Sequence, residues 1–218
     1  PEALALQLFE QYQLPTLKRV ELHSEAEAQA AASHFTGPVA LKIVSPDIIH
    51  KSDAGGVMLN VQPAELAAQY LALLARVQKN VPTARLTGAL AVEMAPKGGL
   101  ELIVGAKQVP GLGTMVMVGL GGIYVEVFKD ITFAFAPVSR QQAQRLVAEL
   151  NIFTILQGAR GQAAYDIPAL VEVIGRISTL VSDHPQISEL DINPLLILPA
   201  GQGVKVLDGR LMLEQVER

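Results

Sequence analysis

"ALKIVSPDIIHKSDAGGVMLNV", residues 40–61, is the stretch on which the reading of this chain turns. An apolar strand carries a single lysine, Lys42, and a polar loop follows with His50, Lys51, Ser52 and Asp53. Gly55 and Gly56 then lead into a second apolar run. An ammonium between Leu41 and Ile43 is costly unless it meets a charged partner or reaches a cleft. The alternative is a strand-edge lysine whose head snorkels to water. The loop also has two readings. Glycines let backbone N–H groups approach a phosphate and a lysine adds a point charge, but a solvated polar turn has the same composition. No G-x-x-x-x-G-K-[ST] occurs anywhere, so the loop is not a Walker A motif.

On the N-terminal side, Leu4, Leu8 and Phe9 recur at helical spacing before Pro15, and "TLKRVEL" reads as a short strand. Ser24, with Glu27 at the capping-box position, starts an alanine-rich helix that runs to Phe35 and is broken by Gly37-Pro38. On the other side "GVMLNV" is a second strand, and Pro63 opens a helix to Lys79 that turns Leu66, Tyr70, Leu73, Leu74 and Val77 inward. From Leu86 strands dominate: "LTGALAVEMA", "LELIVGAKQV", "TMVMVGL" and "ITFAFAPV", parted by glycine and proline turns. Two helices, Ser139–Leu150 and Ile167–Val181, precede a closing strand pair, "SELDINPLLIL" and "GVKVLDGRL". The pattern predicts an α+β fold of two lobes that share one cleft, residues 1–88 with the loop and 89–218.

Composition narrows the function classes. Half of the 218 residues are hydrophobic and 17% are charged, which fits a globular chain and not a disordered one. The net charge is −4 and no Lys/Arg run exceeds two, so nothing draws the chain to nucleic acid or anionic membrane. Cysteine is absent, which excludes disulfides, thiolate zinc sites and cysteine nucleophiles, and fits a reducing cytoplasm. His23, His34, His50 and His184 are too scattered for a local metal motif. No apolar run reaches the ~20 residues that span a bilayer, and no signal peptide is visible. The sequence begins at Pro1 without Met, as a domain cut from a longer protein would.

Further along, Glu93 and Glu101 bracket "MAPKGGL", which is either a solvated hairpin or a hinge. At such a hinge, with Met94, backbone groups would read a base edge and a carboxylate would hold a ribose. "GLGGIYVEVFKD", residues 119–130, lacks G-x-G-x-x-G, so it is not a Rossmann turn. It is a tight strand turn or a loop open to a phosphate or a partner, with Glu126 and Asp130 nearby. Asp191 and Asn193 share a strand face by period-two alternation, and "VLDGR" brings Asp208 on the expected hairpin partner. Hard oxygens on adjacent strands suit magnesium, which keeps several waters and takes one or two protein oxygens beside nucleotide phosphates. A polar surface strand is the bland alternative. Arg160 in "GARG" either faces phosphates or a partner, or pins its own loop.

Taken in order, "PVALKIVSPDIIHKSDAGGV", "GLELIVG", "MVGLGGIYVEVFKDITFAFAPV", "GARG" and "ELDINPLL" with "VLDGR" resemble the ATP-grasp domain of NDP-forming acyl-CoA synthetases. This is the β-subunit part of ADP-forming acetyl-CoA synthetase, related to the succinyl-CoA synthetase β chain. The resemblance covers nearly the whole chain. It implies an ATP-grasp fold with ATP or ADP in the cleft between the lobes, held by Lys42, Lys51, Ser52, Gly55 and Gly56 at the phosphates and by Glu93, Met94 and Glu101 at adenine and ribose. It implies Mg²⁺ on Asn193 and Asp208, with Asp191 a further ligand, and His50 as a phosphate-carrying histidine. Family chemistry converts acyl-CoA, ADP and phosphate to acid, CoA and ATP, reversibly, through phosphohistidine. The chain has no CoA-binding Rossmann-like part, so a CoA-binding partner domain or chain is expected. A regulatory or degenerate ATP-grasp domain of a multidomain protein, such as a protein lysine acetyltransferase, is the alternative. A carboxylate–amine ligase, with acyl phosphate attacked by an amine in the same chain, fits the His50 loop less well.

Overall fold

The computed structural model describes residues 2–48, 50–122, 130–159 and 161–214. Its first helix, α1 (Glu2–Gln11), belongs with the second half of the chain and not with the strands that follow it. Ala5, Leu6 and Phe9 are buried in the larger of two hydrophobic cores. The chain accordingly divides into Leu17–Ala95 and a unit made of Pro1–Thr16 with Pro96–Arg218. A boundary at residue 88 would cut through a strand that bonds to neighbours on both sides within the smaller unit.

That smaller unit contains β1 (Arg19–Leu22), α2 (Glu25–Ala31), β2 (Val39–Val44), β3 (Val57–Val61), α3 (Leu66–Asn80) and β4 (Gly88–Glu93). Its strands form one antiparallel sheet ordered β1-β4-β2-β3. Alternation along β2 turns Leu41 and Ile43, both fully buried, to the helix-covered face and Lys42 to the other. Leu66, Tyr70, Leu73 and Val77 form the buried stripe of α3 at helical spacing and pack with Leu41, Ile43, Ala89 and Ala91. Each such side chain contributes roughly 1.5–3 kcal/mol by leaving water. Ser24 caps α2, its hydroxyl accepting the Glu27 N–H at 3.2 Å. The reciprocal arm lands one residue early, on the His23 N–H at 2.8 Å.

The larger unit adds β5 (Leu100–Val109), β6 (Gly113–Leu120), β7 (Ile131–Phe135), α4 (Arg140–Ala148), α5 (Phe153–Leu156), α6 (Ile167–Asp183), β8 (Ile187–Ile197), β9 (Val204–Val206) and β10 (Gly209–Leu213). The sheet runs β10-β8-β5-β6-β7, with β9 pairing β8. Facing residues of paired strands share a face. Val104, Val116, Val118, Leu190 and Ile192 therefore lie together against Phe9, Leu146, Ile174 and Ile177 of the helices. The opposite face carries Glu101, Asp191 and Asn193. A full capping box at Ser139 and Gln142 starts α4, and the Asp166 side chain caps α6. Residues 203–211, expected as one strand, are two, broken at Leu207-Asp208. There Leu207 N–H goes to Pro194 O at 3.1 Å and Asp208 O accepts from Asn193 N–H at 3.2 Å. Among the described residues no helix is long and apolar enough to cross a membrane.

Candidate functional site

Within the smaller unit, Lys42 lies on an interior strand, between Val57 of β3 and Leu90 of β4, and not at a sheet edge. It is half-buried, and among the described residues no carboxylate pairs with it. Among the described residues nothing supplies the counter-charge that usually accompanies a buried cation, a condition that an anionic ligand would relieve.

The loop between β2 and β3 is closed by its own backbone. Gly55 N–H donates to Ser52 O at 3.0 Å, Gly56 N–H to Lys51 O at 2.7 Å, and Ile43 N–H to Gly56 O at 2.8 Å. From α3, Asn80 Nδ2 donates to Ala54 O at 3.1 Å and Arg76 to Val57 O at 2.9 Å. A Cβ at Gly56 would lie 2.4 Å from Ile43 Cγ2, and Gly55 sits at φ +70°. The paired glycines thus satisfy turn and packing, and their N–H groups are spent inside the loop. Lys51 is half-buried, and Ser52 and His50 are exposed.

Glu93 closes β4. Its N–H donates to Lys18 O at 2.8 Å and its carboxylate accepts the Lys18 N–H at 3.2 Å. Met94 N–H reaches Pro38 O at 3.3 Å, two residues before the chain passes into the larger unit at Pro96. Glu93 and Glu101 consequently belong to different units and are not the two ends of one hairpin. Glu101 is exposed at the start of β5, its carboxylate near Gly122, where a Cβ would approach it to 3.0 Å.

In the larger unit, Asp191, Asn193, Asp208, Gly209 and Arg210 line one pocket of about 360 Å³. The strand break frees Asp208 from the ladder, and its Oδ1 accepts the Gly209 N–H at 2.7 Å. Gly209 has no room for a side chain, since a Cβ would stand 2.4 Å from Phe9 Cε2. Asp191 is engaged by Arg210 at 3.3 Å, a partner that alternation alone did not reveal. Two carboxylates and one amide oxygen are a hard-oxygen set suited to Mg²⁺. No three His, Asp or Glu side chains converge to hold a metal among the described residues, so a metal here would also draw on Asn193.

Asp130 has a structural task. It is 4% exposed and accepts N–H bonds from Asn151 at 2.8 Å and Ile152 at 3.0 Å. This fixes the turn into α5 and leaves the carboxylate unavailable to a ligand. Glu126 and Arg160 lie outside the described residues.

The family model of an ATP-grasp domain matches residues 1–213 of the chain. A 4-hydroxybutyrate–CoA ligase (ADP-forming) of Nitrosopumilus maritimus is 46% identical over 203 residues, which cover 93% of this chain and 29% of that protein. The chain therefore spans less than a third of that relative. The β subunit of acetate–CoA ligase (ADP-forming) II of Pyrococcus furiosus is 38% identical, and the alignment covers 96% of this chain and 89% of the subunit. Among solved structures, acetyl-coenzyme A synthetase 1 of Ca. Korarchaeum cryptofilum with coenzyme A and Mg-AMPPCP superposes with a TM-score of 0.81 and 34% identity, over 98% of this chain and 92% of that one. Its phosphohistidine segment points towards the nucleotide-binding site.

Proposed function

Because the chain belongs to the ATP-grasp domain family, in the β-subunit branch of ADP-forming acyl-CoA synthetases, we propose that it is the nucleotide-binding, phosphoryl-transferring part of such an enzyme. The observation that carries this reading is the pocket of Asp191, Asn193 and Asp208. A strand break and a backbone hydrogen bond bring an amide oxygen and a carboxylate together on one open sheet face.

Asn193 and Asp208 would hold Mg²⁺, which when bound neutralises charge on the nucleotide phosphates. Lys42, Lys51 and Ser52 supply a cation on an interior strand and two polar groups on a pinned loop, the complement a polyphosphate needs. Glu101 offers a carboxylate to ribose hydroxyls, while the N–H groups of Glu93 and Met94 already donate to Lys18 O and Pro38 O, so a base contact there falls to other groups.

His50 stands exposed at the start of the same loop, and a neutral imidazole is nucleophilic near pH 7. One ring nitrogen attacks the terminal phosphorus of ATP. The N–P bond forms as the bridging P–O bond breaks, ADP departs with the electron pair, and the imidazolium proton passes to water. The phosphoramidate gives the group up again in the reverse direction. Acyl transfer to CoA requires the CoA-binding partner, a separate chain or the remainder of a longer one, and that part selects the acyl group.

Incubation of the chain with Mg²⁺ and ATP labelled in the terminal phosphoryl tests this reading. The expected product is an acid-labile, base-stable label on His50, lost in His50→Asn and discharged to ATP by added ADP. Label that survives in His50→Asn, or none at saturating Mg·ATP, would contradict the role of His50.

A further inference from the structure

The pocket contains one group that the nucleotide reading leaves without a task. Arg210 is opposite Asp191 in the β10–β8 register, so both side chains stand on the same sheet face. The guanidinium lies 3.3 Å from the Asp191 carboxylate, and both residues line the pocket with Asn193 and Asp208. A metal bound through Asp191 would share that carboxylate with a cation already in contact, and like charges at such range repel strongly. The acids therefore divide their work. Asn193 and Asp208 serve the metal, and Asp191 serves Arg210.

The pair is asymmetric in exposure. The Asp191 side chain is 29% exposed and that of Arg210 is 69%. A guanidinium presents five N–H donors in a rigid planar fork, and one carboxylate occupies two of them at most. The Arg210 side chain is largely exposed and lines the pocket, so donors beyond those facing Asp191 are available to a ligand. A planar donor edge beside a metal pocket matches the terminal oxygens of a phosphoryl dianion, which accept bidentate arginine contacts.

We propose that Arg210, oriented by Asp191, binds the terminal phosphoryl group at this site and makes the chain discriminate a triphosphate from a diphosphate. This rests on the nucleotide reading above. Arg210 would be a binding residue for the transferring group and Asp191 a positioning residue that acts through it.

The test measures dissociation constants, with Mg²⁺ present, for ADP and for a non-hydrolysable triphosphate analogue on the wild-type chain, Arg210→Ala, Arg210→Lys and Asp191→Asn. In Arg210→Ala, ADP should bind within about twofold of wild type while the triphosphate analogue weakens at least about tenfold, the scale of one charge-assisted bidentate contact. Arg210→Lys, which keeps the charge and loses the fork, should fall between. Asp191→Asn should weaken the triphosphate selectively but less. The ratio of the two constants is the readout, because a structural defect would move both together. Inorganic phosphate titrated into the ADP-saturated chain separates the two sources of the group. Loss confined to that titration overturns the discrimination between triphosphate and diphosphate and leaves Arg210 as a site for free phosphate only. An unchanged ratio in Arg210→Ala, together with unchanged phosphate binding, overturns the assignment of Arg210 alone. A wild-type chain that binds neither nucleotide overturns this proposal together with the reading on which it rests.

Discussion

Gly56→Ala separates two accounts of the glycine pair. The added Cβ would sit 2.4 Å from Ile43 Cγ2 and 2.9 Å from Lys51 O, distances that require something to move. Ile43 is fully buried in the centre of the smaller core, and Lys51 O already accepts the Gly56 N–H at 2.7 Å. Neither neighbour has free space to retreat into. The expected cost is that of an overpacked core, about 1–3 kcal/mol. For a chain of 218 residues, each kcal/mol lowers the melting temperature by about 2–4 °C. Urea denaturation followed by circular dichroism, without nucleotide, measures it. Gly55→Ala is the comparison. Its nearest neighbour is the movable Asn80 amide, at 2.9 Å, and its φ is +70°, so about 1 kcal/mol of backbone strain is expected. If Gly56→Ala left stability within about 0.5 kcal/mol of wild type and instead abolished nucleotide affinity, the glycine would serve phosphate approach, and the packing account would be refuted.

Asp208→Ala should remove most of the Mg²⁺-dependent part of ADP affinity while leaving the Mg²⁺-free component unchanged, as calorimetry with and without chelator would show. Asp130→Ala leaves two buried N–H groups without an acceptor, and the larger unit should lose roughly 2–3 kcal/mol in denaturant titration; Asp130→Asn, which keeps one acceptor oxygen, should lose less. Burial, with the Glu27 charge adding to it, raises the Tyr70 hydroxyl above its ordinary pKa of 10.0. The folded state then holds this proton where the unfolded state releases it, so stability falls as pH rises above about 10. Stability against pH should decline less steeply there in Tyr70→Phe.

Much of the fold follows from local signals. Ser24, the apolar spacing of α3 and the alternation of β2 each rest on contacts within a few residues or on strict periodicity, and the structure has all three. What was not legible depends on long-range pairing. The membership of α1 is decided by where Phe9 is buried, and helical spacing says only that some core receives it. The meeting of Arg210 and Asp191 depends on the β8–β10 register beyond the break at Asp208, which no local pattern fixes. Asp130 shows how two readings of one motif are separated. A carboxylate after a glycine cluster reads as a site residue, but here the acceptor demand of two backbone amides claims it. Asp191 and Asn193 were readable as a same-face pair because period two survives any register.

The most direct test of the nucleotide-binding claim is calorimetric titration of ADP into the chain, with and without Mg²⁺, on wild type and Lys42→Ala. The account predicts saturable binding that strengthens with Mg²⁺ and is lost or severely weakened in Lys42→Ala, whose fold should be unchanged by circular dichroism. Binding of equal strength in the two chains, or no binding by the wild type under any of these conditions, would contradict it.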